Sequence, residues 1–349
     1  MKSLLDCVNS LDLRKTYYYR KSGKRYEEAI LKSYEFINDY FYAGGKLHFL
    51  SESITDIRNF DLERCKHVVN TYYLGLYLLE KIDYLQIKKP LFSNKKDYLW
   101  AWFLCSLYHD AFFNERNEPN IVCSFGYENH SKRLLYSADT LQKYYWKNIN
   151  RKTSYNGDVI YNHGIVGAEA LYQNFIKDLE NHIREGFCSL EGFLNNGAIM
   201  HDCNRLVSYK SYVAMCKVAK VIASHAVFIA EEDNKQKYLD AGLGCLVPTA
   251  HKSIRMPKEK KSLNEYEKLY YILSLVDNIE PTKNGIAMQD VFIDIVKIDN
   301  KSYSMIIKII ALKDKTEDYL NNLKNLSNWL SYVECSEVNS NTVELKFVF

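Results

Sequence analysis

His109 and Asp110 are the first residues of this chain that could do chemistry, because they follow a long apolar run in YLWAWFLCSLYHD (98–110). Apolar side chains surround this segment at helical spacing, which predicts a buried helix. Burying a histidine and a carboxylate without partners is costly. A divalent cation offsets that cost, because neutral imidazole and ionised carboxylate are both good metal ligands. A core histidine bonded to a neighbour or to a backbone carbonyl is the alternative, and the pair alone leaves both open.

Three further polar residues occur in other apolar helical segments. His67 lies in CKHVVNTYYLGLYLL, and His225 lies in YVAMCKVAKVIASHAVFIA. Asp277 closes LYYILSLVDNIEP, just before Pro281 ends the helix. An isolated histidine on an apolar face is usually a structural core residue, and a lone aspartate at a helix end is usually solvated. The occurrence of such residues on four separate helices favours a shared site.

His163, in YNHGIVGAEALY, is the last candidate. The asparagine and glycines around it predict a loop that opens into a helix, and Gly167 lies one helical turn later on the same face. A glycine at that position allows another group to approach the helix closely. Close helix packing at Gly167 explains the same pattern without any functional site.

The composition is that of a soluble globular protein, with a formal net charge of +3, 47% hydrophobic residues and 26% charged residues. This charge gives no electrostatic support for binding duplex DNA. The chain shows no signal peptide and no apolar run of about 20 residues, so we expect a cytoplasmic protein that does not enter a membrane. Its nine cysteines include no Cys-x-x-Cys pair and predict buried free thiols.

Apolar residues recur at three- and four-residue spacing through most of the chain, which predicts a mainly α protein. The predicted helices are 26–43, 64–83, 97–110, 130–146, 163–180, 210–230 and 264–280. Polar or glycine-containing segments between them predict loops or short helices at 114–127, 150–158, 184–205 and 233–262.

The pattern changes after Pro281, where β-branched and partly alternating segments replace the helical spacing. We expect strands at 291–298, 303–312 and 341–349, and a helix at 315–333. This order, β-β-α-β, predicts a small α+β appendage over residues 284–349, joined to a helical domain over residues 1–283. Within the helical domain the expected core is 60–283, preceded by N-terminal helices in 1–59. The appendage could form a homo-oligomer, bind an effector or cover the helical domain.

The ordered motifs resemble those of the HD superfamily of metal-dependent phosphohydrolases. SLYHDAFF (106–113) looks like the family's His-Asp doublet, NHGIVGA (162–168) is similar to its motif of a histidine followed by small residues, and LVDNIEP (275–281) resembles its closing aspartate motif. The resemblance covers about residues 60–283 and implies an HD-type helical domain. It also implies a metal set consisting of His67, His109, Asp110, His163, His225 and Asp277.

Some features depart from the family or compete with these assignments. Ala226 follows His225 where the best-studied cyclic-dinucleotide members carry a second histidine, and their Gly-Tyr-Pro signature is absent, which argues against cyclic di-GMP as the substrate. His130 competes with His163 as the third histidine, and His201-Asp202 competes with the doublet. We prefer His109-Asp110, because His67 precedes it by one helix and a connection.

The resemblance implies that a metal-activated water hydrolyses a phosphoester or phosphoanhydride, with His109 and Asp110 as the catalytic pair. One or two ions are expected, and manganese, iron, nickel, magnesium and zinc all suit mixed nitrogen and oxygen ligands. In a two-ion site Asp110 would bridge the ions. The expected partner is a small phosphorylated molecule of the nucleotide class.

Three cations are placed in the sequence where they could meet a substrate phosphate: Lys66, Arg116 and Lys283. Charged residues make up about a quarter of the chain, and a solvated surface charge is the more common role for each of these three. Two rival functions remain open from the sequence. One is a catalytically silent fold of this type that binds a nucleotide as a sensor or regulator, and the other is a helical interaction protein whose buried histidines are structural.

Overall fold

Contacts divide the chain into two compact units, the first formed by Met1–Lys88 with His251–Phe349 and the second by Lys89–Ala250. The predicted domain boundary after residue 283 falls inside the first unit, and two separate domains at that boundary remain a prediction. The computed structural model describes residues 1–11, 62–82, 95–110, 153–155, 158–160, 163–164, 167–168, 171, 198–200, 205–207, 217–223, 225, 265–300, 302–310, 313–330 and 333–348.

The described residues contain both helices and strands, and residues 163–164, 167–168, 171, 217–223 and 225 are also helical. In chain order the elements are β1 (Lys2–Ser3), α1 (Leu4–Asn9), α2 (Leu62–Lys81), α3 (Lys95–Tyr108), β2 (Thr153–Tyr155), β3 (Asp158–Ile160), β4 (Ala198–Met200), β5 (Arg205–Val207), α4 (Glu265–Ile279), β6 (Val291–Lys297), β7 (Ser302–Ile309), α5 (Lys313–Trp329), β8 (Val333–Asn339) and β9 (Thr342–Val348).

The prediction of a mainly α protein is wrong, because a five-stranded antiparallel sheet with the strand order β1-β6-β7-β9-β8 is a principal element of the first unit. Two of its strands were not expected. The N-terminal strand β1 pairs with β6, and it is too short to show any alternation in the sequence. Strand β8 pairs with β9 at the sheet edge and is mostly exposed, so it lacks the apolar run of a core strand. The appendage pattern β-β-α-β is therefore incomplete.

The inner face of the sheet follows from alternation along its strands. In β9, Val343, Leu345 and Phe347 are buried, and the residues between them are more exposed. Helix α5 covers this part of the sheet and packs against β8. Its buried residues recur at helical spacing and include Tyr319 and Leu323. Alternating strands and an amphipathic helix thus bury one shared core.

Helices α2 and α4 pack against each other in the same unit, and most of the residues described in both are buried. Two buried tyrosines connect them to the sheet and to α5. The hydroxyl of Tyr303 in β7 donates to the backbone carbonyl of Ile82 at 3.0 Å. The hydroxyl of Tyr319 in α5 donates to the carbonyl of Ile279, the last residue of α4. The ends of both helices are thereby fixed to the α+β part.

Helix α3 belongs to the second unit, and its residues from 101 onwards are buried. Two short hairpins, β2–β3 and β4–β5, lie in the same unit. They correct the expectation of loops or short helices at 150–158 and 184–205.

The helices expected at 64–83, 97–110 and 264–280 are confirmed as α2, α3 and α4. Those at 163–180 and 210–230 are helical at the residues described. The helices expected at 26–43 and 130–146 lie outside the described residues.

No described helix combines the length and the apolar character that a membrane span requires. Among the described cysteines, Cys7, Cys65 and Cys105 are buried free thiols, and Cys335 is a half-buried free thiol.

Candidate metal centre

His109 and Asp110 directly follow helix α3 and are buried, with His109 0% exposed. The amide of His109 still donates to the carbonyl of Cys105 at 3.1 Å, so the backbone continues the helical hydrogen bonding. The thiol of Cys105, one turn earlier, is also fully buried, and this burial raises its pKa. The end of α3 therefore holds two polar side chains in buried, apolar surroundings.

Backbone carbonyls fix the ring orientation of two histidines. Nδ1 of His109 lies 2.7 Å from the carbonyl oxygen of Ser106. Nδ1 of His225 lies 2.6 Å from the carbonyl oxygen of Ile222. A carbonyl only accepts, so Nδ1 carries the proton in both rings and Nε2 is the nitrogen able to ligate a metal in the neutral imidazole. A hydrogen bond of this kind behind the ligating nitrogen is typical of metal-binding histidines.

Four of the predicted ligands come together in the second unit, and we call His109, Asp110, His163 and His225 the Asp110 cluster. Oδ1 of Asp110 lies 3.3 Å from Nε2 of His163 and 3.9 Å from Nε2 of His225. The two Nε2 atoms are 3.2 Å apart. Oδ2 of Asp110 lies 3.9 Å from Nε2 of His109. All three histidines thus direct Nε2 towards one carboxylate.

The donor set of this cluster fits a divalent cation. Asp110, His163 and His225 each offer a ligand atom, and these atoms lie within 4.8 Å of one another. Two atoms that bind one ion at about 2.1 Å lie about 3.0–3.4 Å apart at octahedral or tetrahedral angles. The separations of 3.2 and 3.3 Å fall in that interval. This buried His/Asp group could therefore hold a metal ion.

Gly167 allows the helical segment that contains His163 to approach α3 closely. A Cβ at this position would overlap the backbone carbonyl oxygen of Tyr108, and it would also lie 3.5 Å from Cγ2 of Ile222. The helical segment that contains His163 and Gly167 therefore touches the backbone of α3 directly before His109. The close-packing interpretation of Gly167 is confirmed, and this packing brings His163 to Asp110.

The remaining predicted ligands, His67 and Asp277, lie in the first unit, where they form the His67 cluster with Glu280. His67 is 2% exposed. Its Nε2 lies 3.2 Å from Oδ1 of Asp277, and its Nδ1 lies 2.8 Å from Oε2 of Glu280. One imidazole therefore has a carboxylate at each nitrogen.

Glu280 is a site residue that the sequence reasoning missed, although it stands between Asp277 and Pro281 in the quoted motif. It is 0% exposed. Burial by itself would raise the pKa of Glu280, but the hydrogen bond and charge of His67, together with hydrogen bonds from Thr282 and Asn70, hold that pKa below its usual value. Glu280 is thus a buried carboxylate kept in its ionised form by its neighbours.

The three predicted phosphate contacts have different outcomes. Lys283 binds Asp277, with Nζ 3.0 Å from Oδ1, the same oxygen that faces His67. Lys66 is half-buried on α2. Arg116 lies outside the described residues, as do the competing candidates His130, His201 and Asp202. The assignment of all six predicted ligands to one centre remains a prediction.

Comparison of the chain with protein-family models, with curated proteins and with solved structures finds no match. The established finding is a group of buried histidine and aspartate residues that could bind a metal ion.

Proposed function

We propose that this protein is a metal-dependent phosphohydrolase of the HD type that acts on a phosphoester or phosphoanhydride of a nucleotide-type substrate. The observation that carries the proposal is the convergence of three Nε2 atoms on Asp110, two of them on rings whose Nδ1 proton is held by a backbone carbonyl. A purely structural core histidine has no need for such convergence. The ordered resemblance to the family's motifs supports the same assignment.

We assign His67 and Asp277 to the same centre as the Asp110 cluster, because the resemblance gives these residue types this role. Their chemistry agrees with it. Nε2 of His67 and Oδ1 of Asp277 are 3.2 Å apart, a separation that suits two ligands of one ion. Asp110 would be the carboxylate shared between the ions if the centre holds two, as the resemblance implies.

When bound, a divalent cation lowers the pKa of a coordinated water towards neutrality and neutralises phosphate oxygens. The protein's own residues prepare this chemistry. His109 and His225 keep their Nδ1 protons on backbone carbonyls, so both rings present Nε2 in a fixed direction. The apolar end of α3 excludes bulk water around Asp110, which strengthens its electrostatic interactions. Lys283 adds a positive charge beside Asp277, where a substrate phosphate could accept its hydrogen bond.

A catalytically silent nucleotide-binding regulator is the second candidate, and one contact favours it. Nζ of Lys283 lies on Oδ1 of Asp277, so an ammonium group already neutralises a predicted metal ligand. A site balanced in this way tolerates the loss of a cation better than a site of bare carboxylates.

The proposal is tested by screening nucleoside mono-, di- and triphosphates and linear and cyclic dinucleotides for hydrolysis with Mn²⁺ added. Asp110→Asn is the test variant, because it keeps the side-chain size and removes the charge. Glu344→Gln is the matched control. It makes the same change from carboxylate to amide, but at a residue whose carboxylate accepts from Ser304 in the sheet. We expect a metal-dependent product from the wild type and from Glu344→Gln, and at least about 100-fold less from Asp110→Asn.

If the wild type binds a nucleotide but hydrolyses none with any metal tested, the regulator is the supported function and the phosphohydrolase is contradicted. Absence of both binding and turnover, with a folded wild type, would contradict both candidates.

A further inference from the structure

Glu280 makes a contact that is distinct from those of the predicted ligands. On the basis of the proposed function, we propose that Glu280 is a positioning residue that fixes the ring orientation of His67 and keeps its proton on Nδ1. Glu280 itself does not ligate the ion. Its carboxylate is instead the hydrogen-bond partner on the far side of a predicted ligand histidine. Such carboxylate–histidine pairs are typical of sites that bind divalent cations.

The geometry at the His67 ring assigns different tasks to its two sides. Nδ1 lies 2.8 Å from Oε2 of Glu280, and Nε2 lies 3.2 Å from Oδ1 of Asp277. The carboxylate of Glu280 accepts a hydrogen bond from the protonated Nδ1, and Nε2 is the nitrogen that faces the predicted ligand Asp277. His109 and His225 use backbone carbonyls for the same purpose. An ionised carboxylate forms the stronger bond and makes the imidazole a better donor.

Glu280 is itself held by donors on both of its oxygens. Oε1 accepts from Asn70 Nδ2 at 2.8 Å, from the Thr282 amide at 3.1 Å and from the Thr282 hydroxyl at 2.5 Å. Oε2 accepts from His67 and from the Lys283 amide at 3.4 Å. Every neighbour donates, so each oxygen must be an acceptor. A glutamine would set its own NH₂ against donors in either orientation, although it has the same size.

The contacts also tie two helices together. Asn70 lies one turn after His67 on α2, so Glu280 binds two residues on the same helix face. Glu280 directly follows α4 and precedes the 3-10 turn Thr282–Asn284. The carboxylate therefore sets the ring of His67 relative to the end of α4, where Asp277 lies.

The test compares Glu280→Gln, Glu280→Asp and the control Glu344→Gln by titration with Mn²⁺ and by the visible absorption of bound Co²⁺. We expect Glu280→Gln to weaken Mn²⁺ binding by about 10–100-fold and to shift the Co²⁺ spectrum, with Glu344→Gln unchanged. Glu280→Asp is shorter but keeps two acceptors, so it should retain more affinity than Glu280→Gln. A role in packing alone predicts the reverse order, because glutamine conserves the volume.

The tautomer of His67 gives a second measurement that needs no metal. Nitrogen NMR reports which of the two ring nitrogens of His67 carries a proton, and we call this the ring pattern. It should show a protonated Nδ1 in the wild type and a changed ring pattern in Glu280→Gln. If the wild type binds no Mn²⁺, the proposed function fails, and the ring pattern alone decides the role of Glu280. An identical ring pattern in wild type and Glu280→Gln, or equal Mn²⁺ affinity in Glu280→Gln and Glu344→Gln, would overturn the inference. Where Glu280→Gln does not fold, Glu280→Asp is compared with the wild type in its place.

Discussion

Three of the predicted ligand histidines have their Nδ1 atoms bonded to acceptors of different kinds. His109 and His225 use carbonyls three residues earlier in their own helices, and His67 uses the carboxylate of Glu280. The first arrangement is local, because each carbonyl lies three residues before its histidine in the chain. The second joins residues far apart in the chain, so no spacing in the sequence reveals it. This is the physical reason that the sequence offered the histidines as candidate ligands and did not reveal the contact of Glu280.

His163 offers the cleanest single substitution, because its side chain is 23% exposed while Asp110 beside it is buried. We expect His163→Ala to weaken Mn²⁺ binding by at least about 10-fold. We expect it to change the free energy of unfolding of the metal-free protein by less than about 1 kcal/mol. Calorimetric titration and thermal melting measure the two effects. A large loss of stability with unchanged metal affinity would mean that His163 is a structural residue.

Lys283 makes a partly exposed ion pair with Asp277, and such pairs contribute only about 0–1 kcal/mol to stability. We therefore expect Lys283→Gln to leave the melting temperature nearly unchanged. Removing the ammonium from Oδ1 of Asp277 should strengthen metal binding, while loss of a phosphate contact should raise KM more than it lowers kcat. Steady-state kinetics and Mn²⁺ titration separate the two effects. Weaker metal binding in this variant would contradict the view that Lys283 and the ion share one carboxylate.

At the scale of elements, uninterrupted apolar runs were predictable and exposed edges were not. Helix α3 was expected at 97–110 and is found at Lys95–Tyr108, because nearly every residue of its second half is buried. Strand β8 was missed, because only Val333 of its residues is buried. The hairpin β2–β3 was also missed, although Asn156-Gly157, a typical turn dipeptide, stands between its strands in the sequence.

The contact of Gly167 with the backbone of α3 makes an element-scale prediction. We expect Gly167→Ala to destabilise the protein by about 1–3 kcal/mol, because the added methyl meets a carbonyl that cannot rotate away. It should also weaken metal binding, since the displaced Tyr108 directly precedes His109. The control is Ile307→Val, a buried change in β7 that costs about 1 kcal/mol without touching the cluster. Equal metal affinity in the two variants would show that Gly167 matters for packing alone.

At the scale of the whole molecule, the α+β part and the helices α2 and α4 belong to one compact unit. The N-terminal strand β1 completes the sheet at β6, and Tyr303 and Tyr319 bond the ends of α2 and α4. A pairing between the two ends of a chain cannot be read from local periodicity. The predicted appendage was therefore right in the presence of strands and wrong in their number.

Deletion of residues 285–349 follows from this arrangement as a test of the domain boundary. We expect the shortened chain to lose cooperative unfolding, because the deletion exposes apolar side chains of α2 and α4 and removes both tyrosine bonds. Circular dichroism during heating, together with limited proteolysis, measures the loss. A stable fragment 1–284 with a sharp transition would instead support separate domains at the predicted boundary.

The central claim is that the buried His/Asp group binds a divalent cation, and titration of the metal-free protein with Mn²⁺ tests it most directly. The wild type should bind one or two ions per chain in a saturable manner, and saturation should raise its melting temperature. Asp110→Asn should lose this binding while remaining folded. A folded wild type that binds no Mn²⁺, Zn²⁺, Ni²⁺, Mg²⁺ or Fe²⁺ saturably, or an Asp110→Asn variant that binds as tightly as the wild type, would contradict the claim.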